Sequence, residues 1–104
     1  MHPAIAEKRQ AVAALCRRFG VRRLEVFGSA ARGADFDPRR SDADFLVSFV
    51  PPVKDLSQFL DFKEALEALL GRTVDLVERE ALEASRNYIR RRSILAEAES
   101  IYGP

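Results

Sequence analysis

The sequence predicts an α/β fold in which a small mixed β-sheet is flanked by helices, and three observations lead to this prediction. Apolar residues recur at helical spacing in three long segments, and short runs rich in β-branched and aromatic residues lie between them. The two kinds of segment alternate along the chain, which is typical of a sheet covered by helices. Because the 104 residues contain no repeat and no linker, we expect a single domain over residues 1–104.

Seven elements are expected in chain order. They are a helix over 3–19, a strand over 21–27, a short helix that Ser29 caps and Gly33 ends, a strand over 42–50, a helix over 55–70, a strand over 73–77 and a mostly helical segment over 80–102. Asn87 either breaks the last helical segment or caps its second half. The loop over 34–41 is polar and interrupted by Pro38, and Phe36 within it is the one aromatic residue that we do not assign to the core. A partly buried anchor of the loop is favoured for Phe36 over stacking on a base or contact with a partner.

Composition narrows the class of protein. Charged residues make up 32% of the chain but the formal net charge is only +1, which argues against direct binding to nucleic acid. No apolar run approaches the ~18 residues of a membrane span, so no membrane contact is expected. The single cysteine, Cys16, excludes an internal disulfide and favours a cytoplasmic protein, with its side chain on the buried face of the first helix. His2, the only histidine, is expected at a frayed and solvated start.

The most unusual chemistry lies between Phe27 and Val50. A strand ends at Gly28-Ser29, and a turn from a strand into a helix offers backbone N–H groups to an anion. Asp42 and Asp44 follow, two residues apart at the start of a strand, so their side chains are expected on the same face.

A third carboxylate, Asp75, lies in the apolar strand 73–77, where an unpaired buried charge needs a physical reason. If this strand is a neighbour of strand 42–50, the carboxylates of Asp42, Asp44 and Asp75 converge and repel unless a cation neutralises them. Oxygen ligands without nearby histidine or cysteine favour Mg²⁺ or Mn²⁺ over zinc. The Gly-Ser turn would then cradle phosphates beside the metal, and Arg32 either reaches the same phosphates or forms a salt bridge on the helix surface.

The combination of Gly-Ser, Asp-x-Asp and a distal third carboxylate resembles the signature of the nucleotidyltransferase superfamily. The stretches VFGSAARG at 26–33 and SDADFLV at 41–47 are similar to the minimal nucleotidyltransferase family in particular, and the resemblance covers essentially the whole chain. It implies the nucleotidyltransferase fold, with Gly28 and Ser29 on the β- and γ-phosphates of ATP. It also implies that Asp42 and Asp44 ligate two Mg²⁺ ions and that Asp75 completes the second metal site and helps to activate the attacking hydroxyl.

The resemblance further implies a partner, because members of the family commonly accompany a HEPN-domain ribonuclease toxin and act as its antitoxin. The implied reaction transfers AMP from ATP to a hydroxyl of the toxin, a tyrosine in the family's proposed role, and releases pyrophosphate. Two alternatives stay open: an antitoxin that blocks the toxin by complex formation alone, and a small-molecule nucleotidyltransferase of the aminoglycoside type. The short chain leaves few residues for an acceptor pocket, which favours a protein partner and a homo- or hetero-oligomer.

Overall fold

A mixed sheet is the centre of the computed structural model, which describes residues 1–37, 39, 42–53 and 55–104. Its strands are β1 (Val21–Phe27), β2 (Ala43–Phe49), β3 (Val74–Glu78) and β4 (Glu99–Tyr102). They are arranged in the order β3-β2-β1-β4, with β1 antiparallel to β2 and β4 and with β2 parallel to β3. The predicted fold class, a small mixed sheet flanked by helices, is confirmed.

The helices that flank the sheet begin and end at local signals in the sequence. They are α1 (Pro3–Ala6), α2 (Arg9–Arg18), α3 (Gly28–Arg32), α4 (Leu56–Leu70), α5 (Arg79–Glu83) and α6 (Tyr88–Glu97). The Asp55 carboxylate caps α4 by accepting hydrogen bonds from the next amides, and Gly71 ends it in the left-handed conformation, with φ 67°. Asn87 caps α6 by accepting from the Arg90 N–H at 3.2 Å. No helix in the described residues is both long enough and apolar enough to cross a membrane.

The main core lies between one face of the sheet and the helices α2 and α4. Phe62 and Leu66 from α4 and Val12 and Cys16 from α2 are fully buried there against alternate residues of the strands, which include Leu24, Val26, Phe45, Val47 and Leu76. Burial raises the pKa of the Cys16 thiol to about 12, so this cysteine is a buried apolar side chain, as predicted.

The opposite face of the sheet carries a second, smaller cluster. Phe27 and Leu46 from the strands pack there against Leu82 of α5 and Ile94 of α6. Because side chains alternate along a strand and Phe45 faces the main core, Asp44 lies on this second face beside Leu46. The carboxylates are therefore separated from the main core by the sheet itself.

The N-terminal segment is tied down, which the sequence did not predict. The single helix expected over 3–19 is two helices, because the chain turns at Lys8, where ψ is 4°. His2 is not frayed: its Nδ1 accepts from the Ala4 N–H at 3.0 Å, and its own N–H donates to the Ala30 carbonyl at 2.7 Å. Since Ala30 belongs to α3, the N-terminus is attached to the helix that follows the Gly-Ser turn.

Phe36 lies deeper than sequence reasoning placed it, because a partly buried anchor of the loop outside the core was expected. Its ring is 5% exposed and belongs to the main core, with the His2 ring 4.9 Å away and the Arg72 guanidinium 4.8 Å from its centroid. The aromatic side chain in a polar loop indicated an anchor, but nothing in the sequence indicated that the anchor reaches the main core. The predicted loop break at Pro38 and the motif residue Ser41 lie outside the described residues.

The last predicted element, helical over 80–102, is also wrong in its final part. The segment forms α5, α6 and then the edge strand β4, which pairs with β1 at Leu24 and Tyr102. Ile101 is buried in the main core from this strand. Four strand residues are too few for alternation to show, and Ile94, Ala98 and Ile101 also fit helical spacing.

Candidate functional site

Two of the three predicted carboxylates stand side by side on the sheet. Asp44 of β2 and Asp75 of β3 are register partners in the parallel pair, so both lie on the second face of the sheet. Asp75 is exposed rather than buried, whereas Val74 and Leu76 on either side of it are buried in the main core on the opposite face. The expected cost of a buried charge at Asp75 is therefore absent, and the half-buried carboxylate is that of Asp44.

Asp42 precedes β2 instead of opening it, because the strand begins at Ala43 rather than at the predicted residue 42. The Asp42 side chain is exposed, and its negative charge acts on Asp44. The pair is thus split between the end of a loop and the first part of a strand.

The electrostatics of Asp44 reflect this concentration of carboxylates. The pKa of Asp44 is raised to about 6, first by burial and then by the negative charges of Asp75 and Asp42. The Arg32 guanidinium acts in the opposite direction. A half-buried carboxylate in a field of like charge is the arrangement that a bound cation relieves.

Gly28 brings the backbone against Asp44 at the end of β1. Phe27 pairs with Asp44 across β1 and β2, and Gly28 follows with φ 66°, in the left-handed region. A Cβ at Gly28 would lie 2.4 Å from Oδ2 of Asp44, so any residue other than glycine would have to push this carboxylate aside. The helix α3 begins at Gly28 itself, with Phe27 as its N-cap, and the predicted cap at Ser29 is wrong. The predicted proximity of the Gly-Ser turn to the Asp-x-Asp pair is present in the structure for Gly28 and Asp44.

Arg32 is held by carboxylates. Its guanidinium donates to Asp35 at 2.8 Å and to both carboxylate oxygens of Glu97 at 2.9 Å. The hydrogen bond from Arg32 lowers the pKa of Asp35. Of the two alternatives open from the sequence, the structure contains the salt bridge, and contact between Arg32 and a phosphate stays a prediction.

Glu97 is a site residue that sequence reasoning missed. It is the last residue of α6, and its Oε2 accepts the Gly28 N–H at 3.2 Å while the same carboxylate binds Arg32. Its charge also contributes to the raised pKa of Asp44. Glu97 lies 69 residues from Gly28 along the chain. Nothing in the local sequence marks it, because only the packing of α6 on the second face of the sheet brings it here.

The chemical type of the side chains at this site suits a hard divalent cation. All the donors are oxygens, and the mutual repulsion around Asp44 is the physical reason for a cation. Among the described residues, however, no three acidic, histidine or cysteine side chains already stand together as a preformed set of metal ligands. Joint ligation by Asp42, Asp44 and Asp75 therefore requires side-chain rotation, which the exposure of Asp42 and Asp75 permits.

A groove of about 610 Å³ lies at the other end of the sheet. It is lined by Arg17, Arg18, Val50 and Pro51 among others, next to the pair of Val21 and Phe49. The carboxylates stand at the Phe27 and Asp44 end, so this groove is not part of their site.

Comparison with known proteins identifies the family. The sequence model of the family described as nucleotidyltransferase domain matches residues 8–98, which is most of the chain. The chain is 46% identical over 70 residues to protein adenylyltransferase MntA of Thermococcus cleftensis, an alignment that covers 67% of this chain and 68% of that protein. The chain belongs to the nucleotidyltransferase domain family, and the resemblance inferred from its motifs is confirmed.

Solved structures agree with the assignment. One assigned to the minimal nucleotidyltransferases superposes with a TM-score of 0.73 at 37% identity, over 95% of this chain and 95% of that one. A complex of a tri-AMPylated HEPN toxin with an MNT antitoxin from Shewanella oneidensis matches with a TM-score of 0.62. That match has 16% identity over 94% of this chain and 71% of that one, so it shows the shared fold alone.

Proposed function

We propose that this nucleotidyltransferase transfers AMP from ATP to a hydroxyl group of a cognate HEPN-domain toxin, with tyrosine as the acceptor, and thereby neutralises the toxin. The observation that carries the proposal is the register pairing of Asp44 with Asp75 directly beside Gly28. The relative MntA is a protein adenylyltransferase, and a structure of the same fold contains an AMPylated HEPN toxin bound to an MNT antitoxin. The relative and the solved complex support ATP as the donor and a HEPN-domain toxin as the partner.

In this proposal the chain's own residues bind and orient the donor. Gly28 and Ser29 hold the β- and γ-phosphates of ATP, and Asp42, Asp44 and Asp75 hold the metal. Two Mg²⁺ ions, when bound, would neutralise charge on the entering and leaving oxygens. The acceptor oxygen forms a bond to the α-phosphorus, and the bond from that phosphorus to the α–β bridging oxygen breaks. Pyrophosphate leaves with the electron pair, and the hydroxyl proton passes to the Asp75 carboxylate.

A protein acceptor is favoured by the exposure of the site. Asp75 lies on an edge strand and Asp42 at the end of a loop, both open to solvent. The groove with a volume that suits a small molecule lies at the opposite end of the sheet. We therefore propose a hetero-oligomer with the toxin, in which the second chain supplies the acceptor surface. We also propose that this complex forms in the cytoplasm.

The test of this function is the mass of the partner. The toxin is incubated with the chain, ATP and Mg²⁺, and intact-mass spectrometry measures AMP addition. We expect one or more AMP groups with the native chain. The Asp42→Asn and Asp44→Asn variants should lower the rate by at least roughly a hundredfold, because metal-supported electrostatic stabilisation is the main catalytic term. Asp61→Asn, an exposed aspartate on α4, is the matched control and should react normally.

The same variants separate catalysis from occlusion. If Asp42→Asn and Asp44→Asn still neutralise the toxin fully without adding AMP, complex formation alone is the mechanism and the catalytic role is wrong. If pyrophosphate is released with a small hydroxyl compound and no partner protein, the small-molecule alternative replaces the protein acceptor.

A further inference from the structure

The carboxylate of Glu97 binds the Gly28 N–H, which the proposed function gives to the triphosphate, and it also binds Arg32. Its Oε2 accepts the Gly28 N–H at 3.2 Å, and its two oxygens accept from Arg32 Nη1 at 2.9 Å. One backbone donor and one guanidinium from α3 thus converge on a single anionic group delivered by α6. Charge-assisted bonds of this kind are stronger than neutral ones, and they have the same chemistry with a carboxylate as with a phosphate.

A triphosphate and Glu97 cannot use these donors together. The Gly28 N–H has one hydrogen, and a phosphate brought beside the Glu97 carboxylate would meet a like charge. The Asp44 carboxylate adds a second negative charge beside Gly28, because a Cβ at Gly28 would lie 2.4 Å from its Oδ2. An arriving phosphate must therefore displace Glu97 or leave the Gly28 amide unused.

Displacement of Glu97 is compatible with the surrounding structure. Its side chain is 32% exposed and stands at the end of α6, with solvent available on one side. Arg32 keeps its second carboxylate partner, Asp35, at 2.8 Å when Glu97 leaves. The helix itself stays anchored, because Ile94 is buried three residues earlier against the second face of the sheet.

We infer that Glu97 is an internal competitor of phosphate at this site. It occupies the Gly28 amide and Arg32 in the nucleotide-free chain, is displaced by the β- and γ-phosphates of the donor, and returns as pyrophosphate leaves. The inference rests on the proposed function, because it assumes that Gly28 is part of the phosphate cradle. Its consequence is weaker binding of both triphosphate and pyrophosphate than the same site would show without the carboxylate, which favours release of the product.

The test is the affinity of the chain for Mg²⁺-ATP and for Mg²⁺-pyrophosphate, measured by titration calorimetry for the native chain and for Glu97→Gln and Glu97→Ala. We expect roughly tenfold tighter binding of both ligands by the variants, since a like charge and a competing acceptor are removed. The affinity for AMP, which lacks the β- and γ-phosphates, should change by less than about twofold. Glu99→Gln is the matched control: it removes the same charge two residues away, where the carboxylate pairs with the N-terminus, and should leave all three affinities unchanged.

The direction of the change in affinity for Mg²⁺-ATP decides whether Glu97 competes with the phosphates or helps to position them. The inference would be overturned if both Glu97 variants bind Mg²⁺-ATP more weakly than the native chain or equally well, with circular dichroism showing that they are folded. The proposed function would still stand in that case, because the native chain binds Mg²⁺-ATP. An equal gain for AMP would also overturn it, because the effect would then be a general field effect. If neither the native chain nor the variants bind Mg²⁺-ATP, the inference and the phosphate cradle of the proposed function fail together.

Discussion

Asp44 shows at the scale of one residue how a position in the candidate site works against stability. Its pKa of about 6 lies above the ordinary 3.8 chiefly because burial disfavours the charged form. The folded chain therefore holds this proton more tightly than the unfolded chain does. The resulting stabilisation is fully present below about pH 3.8 and is lost as the pH rises through about 6.

We accordingly predict that Asp44→Asn stabilises the metal-free protein at neutral pH. The neutral amide removes the cost of a half-buried charge, a gain of about 1 kcal/mol after allowance for solvent screening, or roughly 4–8 °C in melting temperature. Thermal denaturation with a chelator present, at neutral pH and again below about pH 4, measures the gain. It should shrink at the lower pH, and a variant that is no more stable than the native chain at neutral pH would contradict the assigned cause.

Gly28 permits a second prediction at the residue scale, with a control built into the chain. Gly28→Ala places a Cβ 2.4 Å from Asp44 Oδ2 at a φ of 66°, whereas Gly71→Ala meets nothing within 4 Å at a φ of 67°. Both variants should lose about 1 kcal/mol from left-handed backbone strain, measured by urea denaturation. Only Gly28→Ala should also abolish AMP transfer, because only there is a site carboxylate pushed aside. Equal activity of the two variants would show that the close approach of Gly28 and Asp44 has no role in the reaction.

The residues of the site differ in how far the sequence reveals them. Gly28, Ser29, Asp42 and Asp44 are close together in one chain segment, so their spacing is itself a signal. Asp75 is distant, but a carboxylate between Val74 and Leu76 stands out in an apolar strand. Glu97 has no such contrast, because it lies in a polar helical segment and its role depends on tertiary contact.

At the scale of elements, α6 is the least regular part of the prediction and a necessary part of the site. Sequence periodicity extended it through Tyr102, although the chain leaves the helix at Ala98, where ψ is 132° and the backbone is extended. Pairing with β1 competes there with helix continuation and wins, because it buries Ile101 in the main core. Single-segment periodicity does not contain that long-range contact.

The attachment of α6 to the sheet can be tested with two isoleucines on the same helix. Ile94 is 8% exposed and Ile89 is 70% exposed. Ile94→Ala should cost roughly 2–4 kcal/mol of unfolding free energy through the cavity it leaves against Phe27, Leu46 and Leu82. Ile89→Ala should cost less than about 0.5 kcal/mol, as a surface substitution. Urea denaturation of both measures the difference, and equal effects would mean that α6 is not held to the sheet by Ile94.

At the scale of the whole molecule, alternation of helix and strand segments was enough to predict a covered sheet. The long elements β1, β2 and α4 lie close to their predicted bounds, because burial and local signals agree there. The missing pieces are the ones whose structure depends on distant partners: the edge strand β4, the full burial of Phe36 and the anchoring of His2 beside α3. The fold places Asp44 and Asp75 together through a parallel pairing of β2 and β3 that no local pattern specifies.

The most direct measurement of the shared carboxylate and phosphate site is a crystal structure of the chain with Mn²⁺ and an ATP analogue that cannot be cleaved at the α–β bridge. We predict anomalous scattering from manganese bound by Asp42, Asp44 and Asp75, with the β- and γ-phosphates on the amides of Gly28 and Ser29. A triphosphate bound elsewhere, for example in the groove beside Arg17 and Arg18, or a metal that Asp75 does not reach, would contradict the site.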